Sequence, residues 1–187
     1  MLVILWAIRN TQRARKARCE MIVSDFLKTV AIRLGDEARV TYGNKELISA
    51  LNDAITQLSL ERIAASDATM VKEISVTPGT TAIPSGFVRF VGQESVYPLN
   101  GKFMSLDGTT TARTVRYFGV KPHVETKGDD LPFDDTTSLG VLLNYVVVLA
   151  GARVGDQSPI EAELANRMSG AYLGRVNADA NKVKEAQ

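Results

Sequence analysis

The stretch Met70-Val-Lys-Glu-Ile-Ser-Val-Thr-Pro-Gly79 decides how the chain is read. Met70, Lys72, Ile74 and Val76 alternate with Val71, Glu73 and Ser75, so side chains fall on two faces with a period of two. Pro78-Gly79 then marks a turn. Everything before this point has helical spacing, and so does everything after about Thr137. The texture therefore changes twice, and a β segment interrupts a helical chain.

The β texture continues downstream. Ile83-Pro84-Ser-Gly-Phe87 leads into Phe87 to Tyr97, rich in Phe and Val. Asn100-Gly101 is a strong tight-hairpin signal, because both positions tolerate positive φ. Lys102 to Leu106, the Asp107-Gly108 turn and Thr114 to Val120 follow. Short strands separated by turn residues predict an antiparallel meander, bounded as an insertion at 68–120.

Upstream, Ser24 is a candidate N-cap with Asp25 in the first turn. Phe26, Leu27, Val30, Ala31 and Leu34 share a helical face, and Gly35 is a natural stop. A second helix is expected from a cap at Asn44 to about Ala65. Leu47, Ile48, Leu51, Ile55, Leu58 and Ile63 form its stripe. Lys45, Asn52, Asp53, Gln57 and Arg62 are expected on its polar side. Downstream, Leu139, Leu142, Leu143, Val146, Val147 and Ala150, with Tyr145 and Val148, predict a helix from about Thr137 to Val154, buried over most of its circumference. Ser158-Pro159-Ile160-Glu161 is a capping box with Pro at the first helical position. Ile160, Leu164, Met168, Tyr172 and Val176 mark one face of a last helix. The expected fold class is α+β: a helical bundle of two N-terminal and two C-terminal helices with an inserted antiparallel β-meander.

Composition excludes some classes. The chain has 187 residues with 45% apolar and 23% charged side chains, ordinary for a globular domain. Its formal net charge is +1, which supplies no global excess for gripping a polyanion. One Cys (Cys19) and one His (His123) exclude a disulfide framework and a zinc site of clustered Cys and His. The charge is uneven, however. Residues 1–20 carry Arg9, Arg13, Arg15, Lys16 and Arg18 against Glu20, a net +4, and the remainder carries −3. The apolar run Met1 to Ile8 is too short to cross a bilayer, and its basic residues follow it rather than precede it as in a secretory signal. Three readings stand for this basic extension: a working start at Met21, an arm that docks on a partner or on nucleic-acid phosphates, and a membrane-surface helix.

Signals for chemistry are sparse. Asp129, Asp130, Asp134 and Asp135 are the one metal-like cluster, but they lack calcium-loop spacing. A solvated acidic loop, with Asp134 or Asp135 serving the next helix's N-terminus, accounts for them. His123 has no motif partner, and no Gly-x-Ser-x-Gly, P-loop or dinucleotide fingerprint occurs. Cys19 has no catalytic partner. Arg89, Arg113 and Arg116 are expected to solvate the sheet's exterior or to pair across subunits. Arg153, Arg167 and Arg175 are expected to solvate helices. No enzyme activity and no cofactor are expected.

Four patches resemble the head–tail adaptor (connector or neck) proteins of tailed bacteriophages. Lys45-Glu-Leu-Ile-Ser-Ala-Leu-Asn-Asp53 is similar to the family's early helix. Ile74-Ser-Val-Thr-Pro-Gly-Thr-Thr-Ala-Ile-Pro-Ser-Gly-Phe-Val-Arg89 is similar to its strand, turn and Pro-x-x-Phe-x-Arg element. Leu131-Pro-Phe-Asp-Asp135, with Leu142-Leu-Asn-Tyr145 and Ala150, resembles its loop and buried helix. The segment from Ser158-Pro159 resembles its C-terminal helix. Together they span about Ser24 to Val176, and their order carries the resemblance.

The resemblance implies a virion structural protein, made in the host cytoplasm and residing in the head–tail neck. It implies an adaptor domain at 21–187 that assembles as a homo-oligomeric ring, commonly a dodecamer, beneath the portal protein. Such a ring extends the DNA channel, through which DNA passes without sequence-specific binding, and offers a platform to the next tail or nozzle protein. By position, a portal-contacting tail falls at 171–187, with Tyr172, Arg175, Val176, Lys182 and Lys184 as the expected contacts. The alternatives are a tail-completion or terminator factor, a metal-dependent enzyme acting through Asp129–Asp135, and a DNA-binding regulator using residues 1–20.

Overall fold

The computed structural model describes residues 21–154 continuously, together with Glu163, Asn166 and Gly170. The chain is mixed α+β, with five antiparallel strands in two small sheets. Helices α1 (Val23–Arg33) and α2 (Asn44–Ala64) come first. A 3₁₀ turn at Ala68–Met70 leads into β1 (Val71–Val76), β2 (Phe87–Phe90), β3 (Val96–Leu99), β4 (Lys102–Ser105) and β5 (Arg113–Gly119). Helix α3 (Thr136–Val154) follows. The expected fourth helix lies largely outside the described residues.

The helix starts differ from the sequence expectation in an instructive way. Ile22, not Ser24, is the N-cap of α1, and it offers no side-chain cap. The loop before α3 does that work: Val23 N–H donates to Asp129 O at 2.9 Å and Ser24 N–H to Lys127 O at 2.9 Å. Orphan donors of a first turn need partners, and distant carbonyls replace the local hydroxyl. For α2, Gly43 is the cap rather than Asn44, and its N–H donates to the Glu46 carboxylate at 2.6 Å. Helix α1 closes at Gly35 as expected, with Asp36 N–H on Ala31 O and Gly35 N–H on Ile32 O, the paired bonds of a Schellman turn.

Helices α2 and α3 make the main helix–helix contact, and α1 packs on α3. Leu47, Leu51, Ile55 and Leu58 of α2 meet Val141, Leu142 and Val146 of α3 in one buried core. Each fully buried Leu or Ile contributes roughly 1.5–3 kcal/mol. Leu139, Leu143, Val148 and Leu149 pack half-buried against the same core, so α3 is apolar nearly all round. By length and composition α3 is apolar enough to cross a membrane, yet half of that stretch is buried within the protein.

The strands are antiparallel, but they are not a sequential meander. The last strand is central: the order is β1-β5-β2, and β3-β4 form a separate hairpin. The stretch Phe87 to Tyr97 holds β2 and the start of β3, separated around Gly92. Pro98 lies in β3, which pairs only with β4, as a residue without an N–H requires of an edge. The hairpin turns at Asn100 and Gly101, both at positive φ (50° and 76°). This primed-turn geometry matches the strand twist.

The β module has a core of its own. Val76, Val96, Phe103 and Val115 are buried together, flanked by Ile74, Ile83, Phe87 and Phe90. Phe87 packs edge-on against Phe90 and Phe103, with ring centroids 5.1 and 5.5 Å away. Phe103 is fully buried at the centre. We therefore expect Phe103→Ala to cost about 3–5 kcal/mol. Urea unfolding followed by hydrogen exchange checks this: amides of β3 and β4 lose protection first, while those of α2 keep it.

Candidate functional site

Helix α2 carries two polar arrangements that position everything around it. On one flank, Asn52, Thr56 and Ser59 recur at four- and three-residue spacing, so they share a face. They hold the extended segment that leaves β5. Asn52 clamps both backbone groups of Val124: its Oδ1 accepts from Val124 N and its Nδ2 donates to Val124 O, both at 2.9 Å. Thr56 Oγ1 is 2.8 Å from His123 Nε2. Ser59 Oγ accepts from Lys121 N at 3.2 Å. His123, solitary in sequence, is thus joined to the helix ladder.

Between this segment, β1 and the turn before β2 lies a groove of about 530 Å³. Lys72, Lys121, His123, Ser85 and Thr56 line it, with Glu125 also present. Lys72 Nζ donates to Val120 O at 2.9 Å. Burial pushes the Lys121 ammonium below its ordinary value. Repulsion from Arg62 and Lys72 adds to this, against attraction by Asp134 and Asp67.

The second arrangement surrounds Arg62, which is buried rather than on the polar side where its charge suggested. Its Nε meets Asp67 Oδ2 at 2.6 Å, Nη2 meets Thr69 Oγ1 at 2.9 Å, and Nη1 meets Ser138 Oγ at 3.0 Å and Asp135 Oδ2 at 3.5 Å. The guanidinium also lies over the Phe133 ring, 5.4 Å from its centroid. Burial alone would raise the Asp67 carboxyl, but the Thr69 N–H, Arg62 and the Thr69 hydroxyl outweigh it, and its pKa lies below the ordinary value.

The acidic residues are spoken for as structure. Asp135 Oδ1 accepts from Ser138 N at 2.7 Å and so serves the start of α3. Asp129 accepts from the backbone N–H groups of Thr126 and Glu125 and from the Thr126 hydroxyl, which lowers its pKa. Asp130 forms a backbone bridge to Ile22. Among the described residues no three His, Cys, Asp or Glu side chains gather where they could hold a metal ion.

Two arginines depart from expectation. Arg89 does not solvate the sheet: it stacks over Phe118 at 4.4 Å and donates to Ile63 O and Ser66 Oγ, joining β2 to the end of α2. Arg153 meets Asp53 at 2.5 Å and Glu46 O at 3.3 Å, tying α3 to α2. Arg116 pairs with Glu73 on the exposed sheet face, and Arg113 with Asp107. Cys19, Arg167 and the expected portal contacts Tyr172, Arg175, Val176, Lys182 and Lys184 lie outside the described residues.

Both arrangements fix backbone and charge. Arg62→Met strands Asp67 in a buried site, so we expect a loss of about 3–5 kcal/mol, part of it recovered in Arg62→Met/Asp67→Asn. The depressed Asp67 pKa adds a pH signature. Its stabilisation is complete above the ordinary carboxylate value near ~3.9 and is lost as pH falls through the lower folded value. Chemical denaturation from neutral to acid pH should show this slope, and Asp67→Asn should flatten it. No protein-family model matches the sequence, and no curated protein matches it.

Proposed function

We propose that the chain is a structural subunit of an oligomeric ring between portal and tail of a tailed bacteriophage, extending the DNA channel and offering a platform for the next tail protein. The resemblance in element order, from Ser24 to Val176, brings the reading to mind. The observation that carries it is the outer face of the β3–β4 hairpin.

In the hairpin register, Tyr97 opposes Met104 and Leu99 opposes Lys102. Leu106 continues the same face, since its N–H bonds to Ser95 O. Val96 and Phe103 point the other way, into the β core. The outer face therefore sets Tyr97, Leu99, Met104 and Leu106 together, with Leu99 45% and Leu106 68% exposed. An apolar face on the hairpin, interrupted only by Lys102 opposite Leu99, fits contact between subunits better than contact with water. The sheet edges at β1 and β2 add main-chain groups open to pairing. A closed ring needs two different, complementary patches on each subunit, and the hairpin and the bundle are chemically distinct surfaces. The near-neutral charge suits a channel through which DNA must slide.

The same reading includes a fourth helix from Pro159 that completes the two-plus-two bundle and carries the portal-contacting tail. Glu163, Asn166 and Gly170 are helical and exposed. Their spacing puts them on one helix face.

Co-expression with the portal protein of the same phage, followed by native mass spectrometry and negative-stain imaging, tests the proposal. The expected result is a complex holding many copies of this chain around an open axis. Leu99→Asp/Leu106→Asp, on an exposed face, is expected to keep the circular dichroism spectrum and lower ring yield by at least about tenfold. A chain that stays monomeric with portal present, or a double variant that assembles normally, would overturn the reading.

A further inference from the structure

Two glycines shape the groove beside α2: Gly86 lines it, and Gly119 precedes its lining residue Val120. Gly119 ends β5, and a Cβ there would stand 3.1 Å from Lys72 Cδ. Its absence lets the Lys72 stem cross the strand end and bring Nζ to Val120 O. Gly86 has φ +80°, and a Cβ on it would press on Val120 O at 3.2 Å. Its carbonyl accepts from Val120 N at 2.8 Å and closes the opposite wall. Lys72 uses one donor on Val120 and has two more N–H bonds to give.

The charges in this groove are not balanced by ion pairs. Neither Lys72 nor Lys121 has a carboxylate within ion-pair distance among the described residues. The two ammonium groups repel each other, and Arg62 repels Lys121 further. Asp67 and Asp134 attract Lys121 only from beyond contact. Glu125 supplies one opposing charge in the lining. Gathering two cations in a half-buried groove is costly unless an anion offsets it. Ser85 adds a hydroxyl to the lining, Asn52 and Ser59 clamp the backbone at Val124 and Lys121, and Thr56 holds the His123 ring.

We propose that this groove binds a phosphate group, with Lys72 and Lys121 as its two cationic contacts and Ser85 as a neutral donor. A phosphate has enough oxygens to take several charge-assisted bonds at once, and its double charge matches two ammonium groups. The source is either a small phosphate or the backbone of a nucleic acid. This site is independent of the ring assignment, since it needs no second subunit.

The test titrates the full chain with three probes: inorganic phosphate, thymidine monophosphate and a short duplex DNA. Calorimetry at constant ionic strength, with chloride as reference, gives the affinity. Saturable binding of at least one probe is expected. Lys72→Gln and Lys121→Gln are each expected to weaken it about tenfold. Arg116→Gln, which removes an exposed cation from the far side of β5, should leave it unchanged. Saturation by the two small probes without competition from DNA identifies a small-phosphate site. Competition by DNA, with affinity falling steeply in salt, identifies a backbone site. No saturable binding of any probe up to about 50 mM would overturn the proposal. Equal affinity in folded Lys72→Gln/Lys121→Gln would overturn it too.

Discussion

A single buried guanidinium holds three parts of this protein in register. Arg62 sits at the end of α2, bonds Asp67 and Thr69 on the path into β1, and bonds Ser138 and Asp135 at the start of α3. Taking such a charge out of water costs several kcal/mol, and apolar replacement of a whole buried pair is often neutral in stability. The network's value therefore lies in geometry. Arginine offers five donors in a rigid planar fork, so its partners can sit only where the fork points. A lysine there would supply charge without direction.

This constraint matters because the two cores are otherwise separate. The bundle core and the β core share no buried residue. Phe118 faces the bundle while its neighbours Val115 and Tyr117 belong to the β side, so β5 is the wall between them. Arg89 over Phe118 and Arg62 at the hinge are the polar ties across that wall. The module thus has its own core and is joined to the bundle by a central strand and two arginines.

Local chemistry was legible in the sequence wherever a few neighbouring residues decide the outcome. Gly35, Asn100-Gly101 and the α2 stripe belong here, since turn dihedrals and helical spacing are short-range properties. The order β1-β5-β2 was not legible, because pairing β1 with a strand some 40 residues on is a long-range choice that turn signals do not encode. The cap of α1 failed for the same reason: its partners are carbonyls about 100 residues away. Arg62 is a different kind of error. Leu51, Ile55, Leu58 and Arg62 follow one helical line, so spacing places Arg62 on the buried stripe although its charge suggests the polar side. Asp67-Ala-Thr69, an Asx-type cap, was the local hint that a partner waited for it.

The groove and the hairpin face can be compared by what surrounds them. The hairpin's outer face exposes Tyr97, Leu99 and Leu106 beside Lys102. The groove's residues are polar and tightly held, with backbone clamps at Lys121 and Val124 and a side-chain bond at His123. Surface apolarity favours association driven by area, which tolerates small misalignments. Clamped cations favour a ligand recognised by direction and charge. Under the two proposals, the first serves assembly and the second an anionic ligand. Lys72 of β1 pairs with β5 beside the groove, and Phe103 of the separate hairpin shares a core with Val115 of β5, so a change in β5's register would disturb the two together.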